Sequence, residues 1–349
     1  MIRIVIIGGG FAGAIAAKYL EKDKRLQITL IDTKSYFEFT PGILRTIVHP
    51  EHFEKMRVLH SHYLKRSKII CGEVIELKNN SLFVKSKNKK EMIDFDYCLI
   101  ASGSKYETPI KDYKLVIASR SEELISYHKK LESAQEVLII GGGLVGVELA
   151  AEILDEYKDK KITMIDPNNC LMARQGHKAQ RHVKEFLERY VKIVLEDKVT
   201  HVKDGTYFTQ KGSRLRPDIA FFCTGIKPNF SFLSKNFNNQ LDKNGRIKVN
   251  SSLQVENCKR IFAAGDICNI NQEALAQNAE IMGRLAAKNI IRQIDKIPLL
   301  EYKPKPRVMV ISLGKFNGLI TYKKIVITGI PAAFMKWAVE KWAMFGIRN

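Results

Sequence analysis

Two glycine-rich turns in this chain have the spacing that binds the pyrophosphate of a dinucleotide. Their glycines are Gly8, Gly10 and Gly13 in the first turn, and Gly141, Gly143 and Gly146 in the second. In a GxGxxG turn the first glycine makes the tight bend, the second lets the backbone approach the phosphates, and the third lets helix and strand pack closely. The free N–H groups at the start of the following helix would bind the phosphates.

An acidic residue follows each turn at the end of the next apolar strand. Asp32 ends the segment Gln27 to Ile31, and Asp166 ends the segment Lys161 to Ile165. A carboxylate about 20 residues past such a turn accepts a hydrogen bond from an adenosine ribose 2′-OH and repels a 2′-phosphate. The pattern therefore favours NADH over NADPH as the nicotinamide nucleotide.

Each unit thus has strand, glycine turn, helix and strand in the order of a dinucleotide-binding βαβ unit. Three later passages, Asp96 to Ser104, Asp218 to Gly225 and Arg260 to Asp266, each read as a buried strand that runs into a glycine. The carboxylate of Asp266 could hold a ribityl hydroxyl. We predict an α/β protein with two Rossmann-type dinucleotide-binding domains, a small C-terminal hairpin and an amphipathic helix.

These passages, in this order, resemble the two-dinucleotide-binding flavoproteins of the pyridine nucleotide reductase superfamily over nearly the whole chain. The resemblance implies FAD at the N-terminal turn and the late Gly-Asp motif, and NAD(P)H at the internal turn. It implies an FAD domain of residues 1–112 and 244–300, an NAD(P)H domain of residues 113–243 and a membrane- or quinone-associated segment of residues 301–349. Asn229 to Gly245 is polar and is the expected return linker.

The candidate cofactor-binding residues cluster at these motifs. Around the first turn and the Gly-Asp motif, where the resemblance implies FAD, they are Gly8, Gly10, Phe11, Ala12, Gly13, Asp32, Thr33, Lys34, Pro41, Arg45, Val74, Ala101, Ser102, Gly103, Gly265, Asp266 and Ala276. Around the second turn, where it implies NADH, they are Gly141, Gly143, Gly146, Asp166 and Gly225.

The cysteines argue against a dithiol electron acceptor. The six lie far apart with no CxxC or CxxxxC pair, so neither the redox pair of disulfide reductases nor a zinc site is indicated. Histidine spacing gives no metal site, and the segment His49 to His52 reads as an exposed turn. Reduced thiols fit a cytoplasmic protein.

A quinone acceptor is indicated by the segment Ala274 to Ala279 with Gly283. It resembles the AQxA helix start beside the quinone pocket of type II NADH:quinone oxidoreductases and of apoptosis-inducing-factor-like ferroptosis suppressor flavoproteins. Gln277 is the candidate donor to a quinone carbonyl. The alternative is an ordinary helix that begins after a Gly-Asp loop.

The C-terminal segment is predicted to form a hairpin, Val308 to Gly314 with Leu319 and Ile320, and then a helix with Pro331 at its first position. Apolar residues form a broad face of this helix, with Lys336, Glu340, Lys341 and Arg348 on the opposite side: the apolar set is Phe334, Met335, Trp337, Ala338, Val339, Trp342, Met344, Phe345 and Ile347. Such a basic amphipathic helix favours peripheral membrane contact through residues 331–349. The alternative is docking on the body or on the partner subunit of a homodimer.

Besides Gln277, two further residues are candidates for catalytic roles. Glu148, just past the second turn, lies near nicotinamide and flavin by the resemblance and could orient NADH or relay a proton; a helix-capping or solvent-facing carboxylate is the alternative. Lys341 aligns with a C-terminal lysine near the flavin of the ferroptosis suppressor relatives, or simply belongs to the polar side of its helix.

A net charge of +20 would suit phosphate-rich ligands, anionic membranes or nucleic acid. The basic residues are spread along the chain, and the cluster Lys85 to Lys90 reads as a solvated hairpin loop, which disfavours nucleic acid. The N-terminus lacks the order of a signal peptide, and no apolar run is long enough to span a bilayer. We expect a cytoplasmic location, peripheral on the inner face of a membrane.

The sequence therefore predicts an FAD-dependent NAD(P)H:quinone oxidoreductase that does not pump protons. One alternative is a sulfide:quinone reductase, for which Cys170 and Cys268 would have to meet near the flavin. Another is a slow FAD- and NADH-binding redox sensor or scaffold, which the basic charge supports. Reduction of an acidic ferredoxin or rubredoxin is a third.

Overall fold

The body of the protein is built on two parallel sheets in this computed structural model, which describes residues 1–87, 89–105, 115–117 and 121–348. The N-terminal part comprises β1 (Ile2–Ile7), α1 (Phe11–Leu20), β2 (Leu26–Asp32), β3 (Tyr36–Glu38), a 3₁₀-helix (Thr40–Ile47), α2 (His52–Met56), β4 (Arg57–Leu59), α3 (His60–Tyr63), β5 (Lys68–Cys71), β6 (Glu73–Leu77), β7 (Ser81–Ser86), β8 (Lys89–Asp94), β9 (Tyr97–Ile100) and β10 (Ser104–Lys105).

The middle part comprises β11 (Leu115–Ile117), α4 (Ser121–Ser133), β12 (Glu136–Ile140), α5 (Leu144–Glu156), β13 (Lys161–Asp166), α6 (His177–Leu187), β14 (Val191–Leu195), β15 (Val199–Lys203), β16 (Thr206–Thr209), β17 (Arg214–Leu215), β18 (Ile219–Phe222), β19 (Lys227–Pro228) and two 3₁₀-helices (Ser231–Leu233, Asn238–Gln240). The last part comprises β20 (Ile261–Ala263), α7 (Ala276–Ile294), β21 (Met309–Ser312), β22 (Gly318–Tyr322), β23 (Ile325–Thr328) and α8 (Ile330–Arg348).

The first sheet has the strand order β20-β9-β1-β2-β5, with every neighbouring pair parallel. Its central strand β1 is buried from Ile4 to Ile7, as expected for a strand covered on both faces by helices. Helix α1 packs on α7, and a side chain at Gly283 would collide with the backbone of Ala12. Glycine at 283 therefore lets the two helices approach closely.

The second sheet repeats this architecture with the order β11-β18-β12-β13-β14, again all parallel. The edge strand β20 joins the first sheet only after the chain has built the second, so the first sheet is assembled from two separate stretches. The predicted α/β class with two Rossmann-type sheets is confirmed. The predicted boundary between residues 112 and 113 lies outside the described residues.

The two crossings between the sheets are held together by reciprocal hydrogen bonds. Strands β10 and β19 pair antiparallel. Ser102 Oγ donates to the carbonyl of Asn229, and Asn229 Nδ2 donates to the carbonyl of Ser102, each at 2.9 Å. The crossing after β9 is thus fixed against the crossing after β18.

The C-terminal segment forms a three-stranded antiparallel sheet, β21-β22-β23, followed by α8. The predicted hairpin matches β21 and β22, and Pro331 lies in the first turn of α8. The third strand was not predicted, because its apolar residues Ile325 and Ile327 point to solvent instead of filling a core. Among the described helices, none combines the length and apolar content required to cross a membrane.

Candidate dinucleotide and electron-transfer site

The first glycine turn joins β1 to α1 and has the geometry of a phosphate cradle. Gly8 has φ +99°, and a Cβ there would collide with the carbonyl of Ala101, while a Cβ at Gly13 would collide with the carbonyl of Gly8. A Cβ at Gly10 would meet no atom within 4 Å. The first and third glycines are thus required by packing, whereas the space beside the second is open for a ligand.

The second turn, between β12 and α5, repeats this arrangement. Gly141 has φ +114°, and a Cβ there would lie 2.7 Å from the carbonyl oxygen of Cys223. A side chain at Gly146 would collide with the Gly141 carbonyl, and one at Gly143 would again meet nothing within 4 Å. Two turns of different sequence therefore leave the same position open.

Both helices that follow begin without a side-chain cap. The N-cap residues Gly10 of α1 and Gly143 of α5 offer no side chain to bond the first N–H groups, and neither first turn holds an acidic residue. Unsatisfied N–H groups and the positive end of a helix dipole attract an anion. The residues at both turns therefore fit a dinucleotide pyrophosphate.

The acids at the ends of β2 and β13 are attached to the turns in the same way. Asp32 Oδ2 accepts the backbone N–H of Gly9 at 2.6 Å, and Asp166 Oδ2 accepts that of Gly142 at 2.6 Å. This bond places each carboxylate beside its glycine turn, at the edge where an adenosine ribose would lie.

Asp266 lies at the carboxyl end of the first sheet, just after strand β20. Its Oδ2 accepts a hydrogen bond from Ser104 Oγ at 2.9 Å, and it lines a small pocket with Arg246, Gly265 and Ala279. Burial raises the pKa of Asp266, although Ser104 and Arg246 oppose the shift. A polar group enclosed beside a left-handed glycine, Gly265 at φ +86°, fits the hydroxyls of a ribityl chain.

The remaining candidate cofactor residues surround these three points. Phe11 packs edge to face on Phe37 and Phe39, with ring centroids 5.1 and 5.8 Å apart. The others lie as follows: Ala12 buried in α1, Thr33 and Lys34 just after Asp32, Pro41 in the 3₁₀-helix, Val74 buried in β6, Ala101, Ser102 and Gly103 after β9, Gly225 after β18, and Ala276 at the first position of α7. Gly103 and Gly225 have φ of +62° and +55°.

Arg45, predicted as a cofactor contact, already has a protein partner. Its guanidinium forms a fork with Glu152 of α5, Nε to Oε2 at 3.0 Å and a terminal nitrogen to Oε1 at 3.1 Å. The Glu152 side chain is buried. The pair joins the 3₁₀-helix of the N-terminal part to α5 of the middle part, a bidentate geometry that guanidinium and carboxylate favour.

Glu148 of α5 is bound by the C-terminal segment. Its Oε1 accepts the backbone N–H of Ser312 at 2.9 Å and the ammonium of Lys336 at 2.7 Å. Both charged side chains are largely buried. The predicted Lys341, in contrast, is exposed on α8. The lysine that reaches the candidate catalytic carboxylate is therefore Lys336.

Gln277, the candidate quinone donor, is the second residue of α7 and is exposed. Its Nε2 donates to the carbonyl of Val308 at 3.2 Å, just before β21. The side chain thus links the start of α7 to the C-terminal sheet.

Helix α8 is inverted relative to the prediction that its charges share one outer side. Lys336 and Glu340 point inward, with Ala332, Met344 and Ile347, because they find partners there. The outward residues are mainly apolar: Ile330, Phe334, Met335, Trp337, Val339, Trp342 and Phe345 are exposed, with Lys341 and Arg348 among them. The helix docks on the body through a mixed side that includes both Lys336 and Met344, and it leaves most of its large apolar residues exposed.

Charged contacts also correct the prediction for His49 to His52. His52 is buried at the start of α2, and its Nε2 lies 3.7 Å from Glu340 Oε1 on α8. Burial lowers the pKa of His52 to about 4 and raises that of Glu340. The segment does turn and exposes Glu51, as predicted, but His52 at its end is buried against α8.

Burial makes two of the thiols poor nucleophiles. Cys268 and Cys223 are fully buried, and burial raises the pKa of each well above its ordinary value. A thiolate is the reactive form, so burial opposes sulfide chemistry at Cys268. Within the described residues, no group of three His, Cys, Asp or Glu side chains could hold a metal ion.

The sequence did not indicate that Glu152 would pair with Arg45 or that Lys336 would pair with Glu148. It also did not indicate His60, which is completely buried behind the first turn. These contacts join residues more than 100 positions apart or lie under a loop, so no local pattern marks them. The segment Val58 to Tyr63 also contains Ser61 and His62 and is mixed in polarity, so the local sequence does not mark His60 as buried.

The chain is similar to one protein family and to several known proteins. The family model for pyridine nucleotide-disulphide oxidoreductases matches residues 2–283. Apoptosis-inducing factor homolog A of Dictyostelium discoideum is 32% identical, over 91% of this chain and 84% of that protein. Human ferroptosis suppressor protein 1 is 29% identical, over 91% of this chain and 88% of its own length. The predicted resemblance to these flavoproteins is confirmed.

Among solved structures, the sulfide:quinone oxidoreductase of Aquifex aeolicus superposes with a TM-score of 0.87 at 21% identity. The match covers the whole of this chain and 92% of that one. At this identity the likeness shows the shared fold.

Proposed function

The chain belongs to the pyridine nucleotide-disulphide oxidoreductase family, and on that premise we propose that it is an FAD-dependent enzyme that passes electrons from NADH to a quinone. Its relatives make it a flavin-dependent oxidoreductase of pyridine nucleotides. The observation that carries the proposal is the pair of matched turns, each with its second glycine open toward solvent.

FAD is assigned to the N-terminal turn and NADH to the internal one. The first site has Asp266 and Ser104 at hand for a long polar chain, and the second has no equivalent acid in its motif. FAD bound at the first site would supply hydride acceptance from NADH and two-electron delivery to an acceptor. Asp166, buried and negative, favours the free ribose hydroxyl of NADH over the 2′-phosphate of NADPH.

Glu148 is the proposed proton-handling residue. A quinone takes up two electrons and two protons, whereas NADH delivers two electrons with one proton. The second proton must come from solvent, and Glu148 is a carboxylate at the junction of α5, β21 and α8. Lys336 and the Ser312 amide fix its Oε1, which orients the group that would relay this proton.

The quinone is proposed as acceptor because the residues for a dithiol route are lacking in the sequence and burial opposes thiolate formation at Cys268. Gln277 remains the candidate donor to a quinone carbonyl. It would have to release the Val308 carbonyl, which an exposed hydrogen bond allows at small cost.

We assign the uncovered face of α8 to the surface of an anionic membrane, where a quinone is dissolved. Its aromatic residues Phe334, Trp337 and Trp342 stand outward, and exposed β23 residues Ile325 and Ile327 extend the apolar surface. Exposed lysines flank it at Lys315, Lys323, Lys324 and Lys341. Aromatic and basic residues together are typical of an interfacial helix. A homodimer that covers this face is the other outcome.

The deciding experiment is NADH oxidation by the purified full-length protein, with no acceptor, with a water-soluble quinone, with sulfide in place of NADH, and with an acidic ferredoxin. We expect a yellow protein that oxidises NADH only when quinone is present. Absence of turnover with every quinone tested would reject the proposal, and slow turnover with salt-sensitive DNA binding would favour a redox sensor.

A further inference from the structure

His60, at the start of α3, lies directly behind the first glycine turn and is completely buried. Its Nε2 lies 3.4 Å from Asp32 Oδ2, the same oxygen that accepts the Gly9 amide. Apart from this contact, Nε2 has no polar partner among the residues that the structure describes. A buried nitrogen is therefore aimed at the acid of the first site.

The other side of the imidazole is fixed by Tyr63. Its hydroxyl lies 2.6 Å from His60 Nδ1, and the Tyr63 side chain is itself buried. An ionised carboxylate only accepts hydrogen bonds, so the proton of the ring belongs on Nε2, facing Asp32. A neutral ring then leaves Nδ1 to accept from the Tyr63 hydroxyl.

The charge state of Asp32 agrees with this arrangement. Burial alone would raise the pKa of Asp32, but the nearby His60 imidazole and the hydrogen bond from the Lys34 amide hold it below its ordinary value. The Lys34 amide bonds Oδ1 at 3.0 Å. Thr33 Oγ1 also donates to Oδ1, at a longer 3.4 Å. A ribose hydroxyl would take the place of this long bond at Oδ1, beside the Lys34 amide.

At the second site the acid is held by a different residue. Asp166 Oδ1 accepts both the amide and the side chain of Asn168, at 2.8 and 2.7 Å. The space behind Gly142 is filled by Leu171, where His60 fills the space behind Gly9. The backbone bond to the acid is common to the two sites, but the histidine belongs to the first site alone.

We propose that His60 is a positioning residue for the adenosine half of FAD, acting through Asp32. This inference rests on the proposed assignment of FAD to the N-terminal site. The Gly9 amide and His60 Nε2 hold Oδ2 from two directions, so the carboxylate cannot rotate and Oδ1 stays directed at the ribose. Since none of the histidines that the structure describes contacts Asp166, loss of His60 weakens the binding of FAD and leaves NADH binding unchanged.

The test is the rate of FAD dissociation from the full-length holoprotein, followed as the rise in flavin fluorescence after dilution. His60→Leu fills the space of the imidazole with an apolar side chain and removes the donor to Asp32. His60→Gln retains a donor there. We expect about 10- to 100-fold faster dissociation for the leucine variant. We expect near-normal dissociation for the glutamine variant and an unchanged KM for NADH in both.

Asn168→Ala is the matched control at the second site, and it should raise the KM for NADH without changing FAD dissociation. In an Asp32→Asn background, His60→Leu should have little further effect, because its target is gone. A purely packing role would give equal losses for His60→Leu and His60→Gln, and that result overturns the inference.

Failure of the proposed function has a different signature. A protein that never retains flavin rejects the assignment of FAD, whereas firm FAD binding that is indifferent to His60→Leu rejects only the role of His60. If His60→Leu does not fold, Tyr63→Phe decides, since it frees Nδ1 and keeps the ring. Unchanged FAD dissociation in Tyr63→Phe then overturns the inference.

Discussion

The ammonium nitrogen of Lys336 lies 2.7 Å from Glu148 Oε1, and this pair joins the helix with the uncovered apolar face to the helix that follows the second glycine turn. Both side chains are mostly withdrawn from water. A buried charge that loses its partner is strongly destabilised. The position of α8 therefore determines whether the Glu148 carboxylate keeps its charged partner.

Lys336→Met should lower kcat for quinone reduction by about tenfold or more, since it removes a charge-assisted hydrogen bond from the candidate proton relay. Lys341→Met is the control, because this lysine is exposed on the same helix and has the same length and charge. Steady-state NADH oxidation with a soluble quinone measures both. Equal effects of the two substitutions would show that Lys341 matters as much, as its alignment with the relatives suggests.

Gly10→Ala and Gly143→Ala should each abolish binding at one site without unfolding the protein. Neither added methyl lies within 4 Å of an atom in the described part of the chain, and Gly10 and Gly143 have φ of −73° and −75°, which alanine adopts freely. Each methyl enters the space reserved for a pyrophosphate. Flavin content should fall in the first variant, and the KM for NADH should rise in the second.

Gly13→Ala is the contrasting variant, since its methyl would collide with the carbonyl of Gly8. It should lower the melting temperature whether or not cofactor is present. Loss of stability in Gly10→Ala as large as that in Gly13→Ala would contradict the separate duties of the two glycines.

The glycine turns, their acids and the two parallel sheets were predictable because each is written in a short stretch of sequence. The way in which α8 packs on the body was not predictable from the sequence. Whether Lys336 or Lys341 turns inward depends on Glu148, nearly 190 positions earlier, and hydrophobic periodicity predicts the opposite orientation of the helix. His60 could not be predicted for the same reason, since its role depends on Asp32 at the end of β2. Contacts between distant charges carry no local pattern.

Asp166→Ala should reduce the preference for NADH over NADPH by about one to two orders of magnitude. The negative charge that repels a 2′-phosphate is removed, and the Gly142 amide loses its acceptor, so the KM for NADH rises as the KM for NADPH falls. Asp159→Ala removes an exposed carboxylate from the same part of the chain and serves as control. An unchanged ratio of kcat/KM for the two nucleotides would exclude Asp166 from nucleotide selection.

Phe334→Ser combined with Trp342→Ser should weaken binding to vesicles that contain an anionic phospholipid by at least about a hundredfold, since burying each large apolar side chain contributes about 1.5–3 kcal/mol. The two residues are 65% and 76% exposed, so the fold should tolerate the change. Met92→Ser with Tyr190→Ser, equally exposed but on other elements, is the matched control. Sedimentation with vesicles measures the effect, and identical pelleting of both double variants would place the membrane contact elsewhere.

Stability should fall as the pH drops from about 6.5 toward 4, in part because of His52. Burial, with the nearby charge of Arg45, lowers the pKa of His52 to about 4 in the folded protein, whereas its unfolded value is about 6.5. Between these values the unfolded chain takes up a proton that the folded protein does not, so acid favours unfolding. His52→Gln cannot titrate, and its free energy of unfolding should decline less steeply over this window in urea titrations at successive pH values. His62→Gln, at an exposed position, should follow the unmodified protein. His52 contacts Glu340 on α8, so the test also reports on how this helix packs. Parallel pH profiles for His52→Gln and the unmodified protein would mean that the packing beneath α8 does not exclude the protonated form of His52.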